Sequence, residues 1–354
     1  MGLFDFIKKK IKDSNYNVRN DIYVSNQKVV FVDYERDQYT EEQVKALVLK
    51  WTSHYPIGID EDNNVRYPRY FYYDYNITNP ASYHKELVNK GYLCNATFES
   101  IIKGYKVDEL KKLLISKGQN VKGLKKDGLI DLLTVTLNNN EKEEIQSNGN
   151  LYQISEKGLE YLEKYKEFLT VVDFKKYEIS YSLYMEHKSK LSDNFTVRDV
   201  VWRIFNERIL YCYKKNDYGH LRNNYRYMAE FLKEEKSFSQ SLYYFIMVLY
   251  FDINLIDTQM HILENIFDNR MIIDFIFDKP LAPGIIEEIH RYSEYHDDKI
   301  FENIFKYNNL PYKFIEDNDF KKIVFDIYKS SFNEEKYVNK AIRNAKKIVN
   351  NRRQ

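Results

Sequence analysis

The stretch Lys106–Leu133, KVDELKKLLISKGQNVKGLKKDGLIDLL, leaves little choice of secondary structure. Val107, Leu110, Leu113 and Leu114 recur at three- and four-residue spacing, which predicts an amphipathic helix with one apolar face. Gly118 is well placed to end it, because glycine accepts the left-handed backbone of a helix C-terminus. Leu129, Ile130, Leu132 and Leu133 predict a second helix sharing the same small core. The turn between them is rich in lysine and glycine. From Lys103 to Gly128 the chain carries eight lysines against Asp108, Glu109 and Asp127. The whole chain, with 54 basic and 53 acidic residues, is nearly neutral, so this excess is local. Positive charge concentrated on a helical pair is the electrostatic footprint of a nucleic-acid contact.

The residues Val107-x-Glu109-Leu110-Lys111-x-x-Leu114-x-x-x-Gly118, then Gly123-x-Lys125 and Leu129-Ile130, resemble the SAP domain. The resemblance covers residues 104–138. It implies a helix–extended–helix module that binds DNA as one part of a larger protein. Gly128 adds one residue before the Leu-Ile pair, and Leu132 stands where the family often has a basic residue. Carried onto this chain, the resemblance makes Lys106, Lys111, Lys112, Lys117, Lys122, Gly123, Lys125 and Lys126 the candidate DNA-binding residues. The lysines would neutralise phosphates, while backbone amides near Gly123 and the second helix N-terminus would donate to phosphate oxygens. Arginine is absent between Tyr70 and Asp193, so little here can read base edges. The expected contact is weak and follows the backbone of double-stranded DNA rather than its sequence. The plain alternative is a lysine-rich helical hairpin with a solvated outer face.

With 354 residues there is room for two or three domains. Only six prolines and eleven glycines favour long regular elements. The abundance of Tyr, Asn, Lys and Ile matches the coding bias of an AT-rich genome, so the 33 tyrosines alone do not argue for base stacking. Cys94 and Cys212 fit no metal spacing and read as reduced thiols of a cytoplasmic protein. No run of eighteen apolar residues predicts a membrane span. The amphipathic start, Met1–Ile11, is similar to short membrane-active peptides but too short to anchor by itself. A docking terminal helix is the expectation there.

Along the chain, Lys28–Val32 predicts a strand, and Thr40-x-x-Gln43 a capping box before a helix over Glu41–Trp51. Ile59–Tyr75 reads as loop with one aromatic strand. Pro80 opens a helix running to Lys90. Asn138–Asn150 reads as a polar linker, and Leu151–Leu159 as a short strand turning into a helix. Leu87-x-x-x-Gly91-Tyr92-Leu93 and Tyr152-x-Ile154-Ser155-x-x-Gly158 resemble parts of a bacterial winged helix, with the SAP-like pair inserted between them. From Phe195 to Lys347 the pattern is nearly all helical. Ala229, Leu232, Lys236, Phe238, Ser241, Leu242, Phe245, Val248 and Leu249 fall in a register similar to one tetratricopeptide helix pair, or to an ordinary antiparallel hairpin. Leu281-Ala282-Pro283-Gly284 breaks the helices. The tail from Lys336 carries Lys336, Lys340, Arg343, Lys346, Lys347, Arg352 and Arg353 and no acid.

No phosphate loop, nucleophile elbow or cysteine nucleophile pattern appears. Asp33-x-Glu35 follows an apolar strand, as carboxylates that hold Mg²⁺ in nucleases do, but nothing downstream completes the set. Glu287, His290 and Glu294 share a helical face at a spacing known from helix-bundle metal sites, without a second such motif. His220, Arg222, Asn223, Asn224 and Arg226 form a polar cluster in the gap before the tetratricopeptide-like pair, able to bind an anion or to cap helices.

The sequence therefore predicts a mainly α protein with a small α/β N-terminal part and three segments. These are an α/β segment over 1–78, a winged-helix-like region over 79–170 holding the SAP-like pair, and a helical platform with a basic tail over 171–354. The expected function is non-enzymatic DNA binding, with no cofactor and no metal, and an unknown protein partner on the platform. Similarity to SAP-bearing proteins of low-GC Gram-positive bacteria and their phages implies a phage- or mobile-element-associated role. The rival expectations are a protein–protein adaptor and, behind it, a metal-dependent nuclease using Asp33 and Glu35.

Overall fold

The structure, a computed structural model, describes residues 37–54, 56–58, 67–147, 151–191, 195–256, 281–308 and 310–351. These lie within one compact unit, Val32–Gln354. The expected strand Lys28–Val32, the amphipathic Met1–Ile11 and the pair Asp33/Glu35 lie outside the described residues.

Among the described residues the chain is mostly helical with one small sheet. Helix α1 (Glu41–Thr52) starts at the expected capping box: Gln43 N donates to Thr40 Oγ1 at 3.3 Å and Thr40 N to Gln43 Oε1 at 2.9 Å. Strand β1 (Ile57–Gly58) precedes α2 (Arg69–Tyr73), a single helical turn where an aromatic strand was expected. Pro68 sets its start, and Phe71, buried, anchors it while its neighbours Tyr70, Tyr72 and Tyr73 stay exposed. Asn79 caps α3 (Pro80–Asn89), with Pro80 in the first turn where its missing N–H costs nothing.

Strand β2 (Leu93–Asn95) follows, then four helices: α4 (Phe98–Gly104), α5 (Val107–Ser116), α6 (Lys126–Thr136) and α7 (Asn139–Ser147). The chain then returns as β3 (Leu151–Ile154), which lies between β1 and β2 and is antiparallel to both. Leu93 pairs with Ile154 and Asn95 with Tyr152, so the four helices sit between two strands of one ladder. Helices α8 (Glu156–Lys164) and α9 (Lys166–Val172) and a 3₁₀ turn (Asp173–Tyr177) complete this half.

One core joins α1, α2, α3, β2, α8 and α9: Leu47, Val48, Leu49, Phe71, Leu87, Leu93, Phe168 and Leu169 are among its buried members. It spans the boundary expected at residue 78. Polar ties reinforce it. Lys45, buried on α1, meets Glu41 at 3.0 Å, Glu42 at 2.9 Å and Glu86 of α3 at 2.8 Å. Burial works against its charge, but the carboxylates of Glu86, Glu42 and Glu41 outweigh it and hold the ammonium above its usual range. Glu42 also accepts the Tyr161 hydroxyl of α8 at 2.7 Å.

The second half comprises α10 (Tyr181–Ser189), α11 (Val197–Lys215), α12 (Tyr218–Glu234), α13 (Phe238–Ile253), α14 (Pro283–Arg291), α15 (Lys299–Tyr307), α16 (Asp317–Tyr328) and α17 (Glu334–Asn351). Two buried groups join it to the first half. Asp37 accepts from Tyr181 N, Ser182 N and Ser182 Oγ at 3.0, 3.0 and 2.9 Å, placing a carboxylate at the positive N-terminus of α10. Arg208 of α11, also buried, donates to the carbonyls of Tyr177 and Glu178 at 3.0 and 2.5 Å, satisfying the end of the 3₁₀ turn.

Helices α12 and α13 form an antiparallel hairpin over the register read from Ala229 to Leu249. Ala229 and Ser241 are fully buried, and Ser241 Oγ donates to Ala229 O at 2.8 Å, so the two backbones approach closely. Phe245 is buried beside them. Ala229→Leu is expected to overpack this crossing and cost about 1–3 kcal/mol. Phe245→Ala should cost about 3–5 kcal/mol through the cavity it leaves. Thermal melts of both variants check this, and an unshifted Ala229→Leu melt would refute the close contact.

His84 of α3 is fully buried, its Nδ1 3.0 Å from the Tyr67 hydroxyl. Burial pushes its imidazole down to about 4. The folded chain therefore holds this proton more weakly than the unfolded chain, and stability from this group falls as pH drops below the ordinary histidine value. Between pH 7 and pH 5 the loss is about 2 kcal/mol. Urea titrations of His84→Gln should lose that part of the slope, whereas a variant with the parental pH dependence would rule the effect out.

Candidate nucleic-acid interface

The four helices between β2 and β3 have a core of their own. Phe98 and Ile102 of α4, Leu110 and Leu114 of α5, Leu129 and Leu133 of α6, and Leu137 are buried together, with Ile145 of α7 packed against them. Leu110, Leu114, Leu129 and Leu133 were expected on these faces; Leu113, Ile130 and Leu132 are half-buried. Val107 departs from the expectation. As the first residue of α5 it sits beyond the packed turn and is 37% exposed.

The end of α5 follows from Gly118. Its φ is +73°, its N–H donates to Ile115 O at 2.9 Å, and Gln119 N donates to Leu114 O at 3.0 Å. This pair of bonds satisfies the last carbonyls and turns the chain away from the helix axis. The segment to α6 has no helix or strand. Within it Lys122 N donates to Asn120 Oδ1 at 3.0 Å, and Gly123 adopts φ +76°, a second left-handed residue that bends the lysine-rich turn.

The polar linker expected over Asn138–Asn150 is instead α7 through Ser147. Asn138 and Glu141 cap each other reciprocally, with Glu141 N donating to Asn138 Oδ1 at 3.0 Å and Asn138 N to Glu141 Oε2 at 2.9 Å. Ile145 then supplies the one apolar contact that a sequence of Asn and Glu conceals. Helix α4 was also missed, although Thr97, its N-cap, stands before Phe98, Ile101 and Ile102 at helical spacing.

Of the candidate DNA-binding residues, Lys106, Lys112, Lys117, Lys122, Gly123 and Lys125 are exposed, and Lys111 and Lys126 half-buried. Two lysines are committed within the module. Lys126 Nζ donates to Lys103 O at 2.8 Å, near the end of α4, and Lys117 pairs with Glu141. The Lys117 ammonium lowers the Glu141 carboxyl below the usual carboxylate range. Among the described residues, Lys106, Lys111, Lys112, Lys122 and Lys125 have no acidic partner. These five lysines are the part of the expected set that an anion can reach, whereas the amides of Lys122 and Leu124 beside Gly123 already donate to Asn120 Oδ1 and Val121 O.

The other constellations are engaged elsewhere. Helix α14 ends at Arg291, so Glu294 sits in a separate 3₁₀ turn (Ser293–Tyr295) and not on a continuous face with Glu287 and His290. His290 Nδ1 lies 3.1 Å from Ile327 O, within hydrogen-bond reach. The polar residues 220–226 lie inside α12, not in a gap. Arg222 grips Asp252 through Nε and Nη2 at 2.7 and 2.6 Å, Asn224 donates to Phe205 O at 3.0 Å, and His220 meets Asp217 at 2.8 Å. Cys94 is exposed; Cys212 is buried, and burial pushes its thiol up to about 12. Among the described residues no three His, Cys, Asp or Glu side chains cluster to hold a metal ion. None of the described helices is long and apolar enough to cross a membrane.

No protein-family model matches the chain, and no curated protein or solved structure matches it either.

A separate core predicts separate stability. Leu114→Ala should cost about 2–5 kcal/mol within the module. Hydrogen exchange should show protection lost over 98–147 while α12 and α13 keep theirs. Equal loss in all of these helices would mean that the module shares one cooperative unit with the rest.

Proposed function

We propose that the chain is a non-enzymatic DNA-binding protein, in which the four-helix insert lays its lysine turn along the duplex backbone. The observation that carries this reading is that Lys106 at the N-cap of α5, Lys111 and Lys112 on that helix, and Lys122 and Lys125 on the turn bent by Gly118 and Gly123, have no acidic partner among the described residues. Lysine is a point charge without the planar fork of arginine, and no arginine lies on the insert. The contact therefore neutralises phosphates without reading bases. The helical half carries the basic tail and serves partner proteins, in keeping with the phage- or mobile-element role that the SAP-like residues imply.

A second reading, an adaptor that binds protein, is favoured by a different observation. The insert exposes Ile115 and Val135, at 59% and 79%, and to a lesser extent Val107 and Leu124. Apolar residues at an interface core, rather than lysines, distinguish protein contacts.

Fluorescence anisotropy with unrelated duplex sequences separates the two. About three to five phosphate contacts should give the insert a slope of log K against log salt of roughly −3 to −4. Lys122→Glu with Lys125→Glu should weaken all sequences alike and reduce the slope by about two. Unchanged DNA affinity in that variant, with Ile115→Asp abolishing capture of a protein partner, would favour the adaptor.

A further inference from the structure

Helix α17 concentrates a second positive surface at the opposite end of the sequence. Tyr337, Ala341 and Ala345, at four-residue spacing, form its buried seam. At 100° per residue, Lys336, Lys340, Arg343 and Lys347 fall within an arc of about 60° to one side of that seam, along about 16 Å of axis. Lys336, Arg343 and Lys347 are exposed. The acids of α16 that face this helix are occupied: Asp319 accepts Lys340 Nζ at 2.5 Å and Asp326 accepts the Tyr337 hydroxyl at 2.9 Å. Among the described residues Lys336, Arg343 and Lys347 have no acidic partner.

The charge of the full sequence is strongly divided. Residues 103–128 hold five net positive charges and residues 336–354 seven, while the whole chain holds one. The remainder therefore carries eleven net negative charges. A polyanion is repelled by most of the chain and attracted to these two segments.

We infer that the Lys336–Arg343–Lys347 stripe of α17 is a second contact for the phosphate backbone of a nucleic-acid duplex. The chemistry of the helix excludes the nearest alternatives. A membrane-surface helix inserts an apolar face, but the apolar seam of α17 is buried inside the protein. A protein interface needs apolar or aromatic anchors at its centre, and the exposed stripe has none. What remains is a rigid row of like charges. Duplex DNA presents one negative charge per about 1.7 Å of axis, so a stripe of this length lies beside roughly ten phosphates. The inference does not depend on the lysine turn of the insert, and the test separates the two.

The experiment uses the full chain and a fluorescent duplex of about 20 base pairs, a length that leaves room for both surfaces. Arg343→Glu with Lys347→Glu is expected to weaken binding about tenfold or more near 100 mM salt and to reduce the salt slope by about two. The neutral variant Arg343→Gln with Lys347→Gln should move both quantities in the same direction by less, and circular dichroism should show both folded. Wild-type affinity in the folded neutral and reversed variants would overturn the inference even if Lys122→Glu/Lys125→Glu loses binding. Loss in the α17 variants but not in the turn variant would support it and remove the lysine turn from the proposed function. Loss of binding to phosphatidylserine-containing vesicles with duplex affinity unchanged would reassign the stripe to lipid and overturn the inference. Failure of the wild-type chain to bind any duplex would overturn both.

Discussion

The antiparallel pairing of β2 with β3 fixes where everything on the insert can stand. Two short strands separated by four helices make a long closure, and such a closure needs local contacts to offset its entropy. Those contacts come from a tight interlock. Ser155 N donates to Tyr92 O at 3.0 Å, Ser155 Oγ reaches Gly91 O at 2.7 Å, and Lys157 Nζ donates to Lys90 O at 2.7 Å. Gly158 completes it, since a Cβ there would stand 2.3 Å from Tyr92 O and 2.7 Å from Ile154 Cγ1. Any larger residue at position 158 would push α8 off the strand. The strand ends would then lose their alignment, and with it the orientation of the insert.

Further ties across long stretches of chain carry that rigidity outward. Thr97 N donates to Gln153 Oε1 at 3.0 Å and Ala96 N to Leu151 O at 2.8 Å, so the first helix of the insert starts directly from the ladder. Lys45 holds α1 to α3 with buried charge, an arrangement whose removal would leave the Glu42 carboxylate without its cation and Glu86 with Lys90 alone. Asp37 and Arg208 then join the first half to α10 and α11 by capping backbone ends rather than by apolar area alone. An insert with its own core, mounted on a stiff strand pair, can present a charged turn without disturbing the core beneath it.

Periodicity made much of this visible beforehand. Leu110, Leu114, Leu129 and Leu133 face one core because their spacing allows nothing else, and Thr40 with Gln43 marked the start of α1. The helical register read from Ala229 to Leu249 set Ala229 against Ser241 because only small residues permit that approach. What stayed hidden was long-range or composed of polar residues. Asp37 contacts Ser182 across 145 positions, and no local pattern announces such a partner. Helix α7 hid behind Asn and Glu, residues that favour loops unless a reciprocal cap recruits them. The lysine turn was legible as charge, but not in its division of labour. Sequence alone gave Lys117 and Lys126 the same weight as Lys122 and Lys125, although Lys117 pairs with Glu141 and Lys126 with the Lys103 carbonyl.

That division bears on the contact proposed for the insert. A lysine held by an acid must exchange one partner for another on binding, whereas an unpaired lysine releases only counterions from the polyanion. In the proposed contact the favourable term would come from the few lysines that have no acidic partner among the described residues, and it would be electrostatic rather than geometric. Lysine lacks the planar fork by which arginine grips a base edge, so the lysine turn of the insert favours phosphates over bases. The eleven net negative charges elsewhere in the sequence would act in the same direction in the proposed contact, because a polyanion is repelled by them and attracted to the positive segments. Charge segregation of this kind lets a protein with a net charge of +1 behave as a directed cation without the nonspecific adhesion of a uniformly basic one.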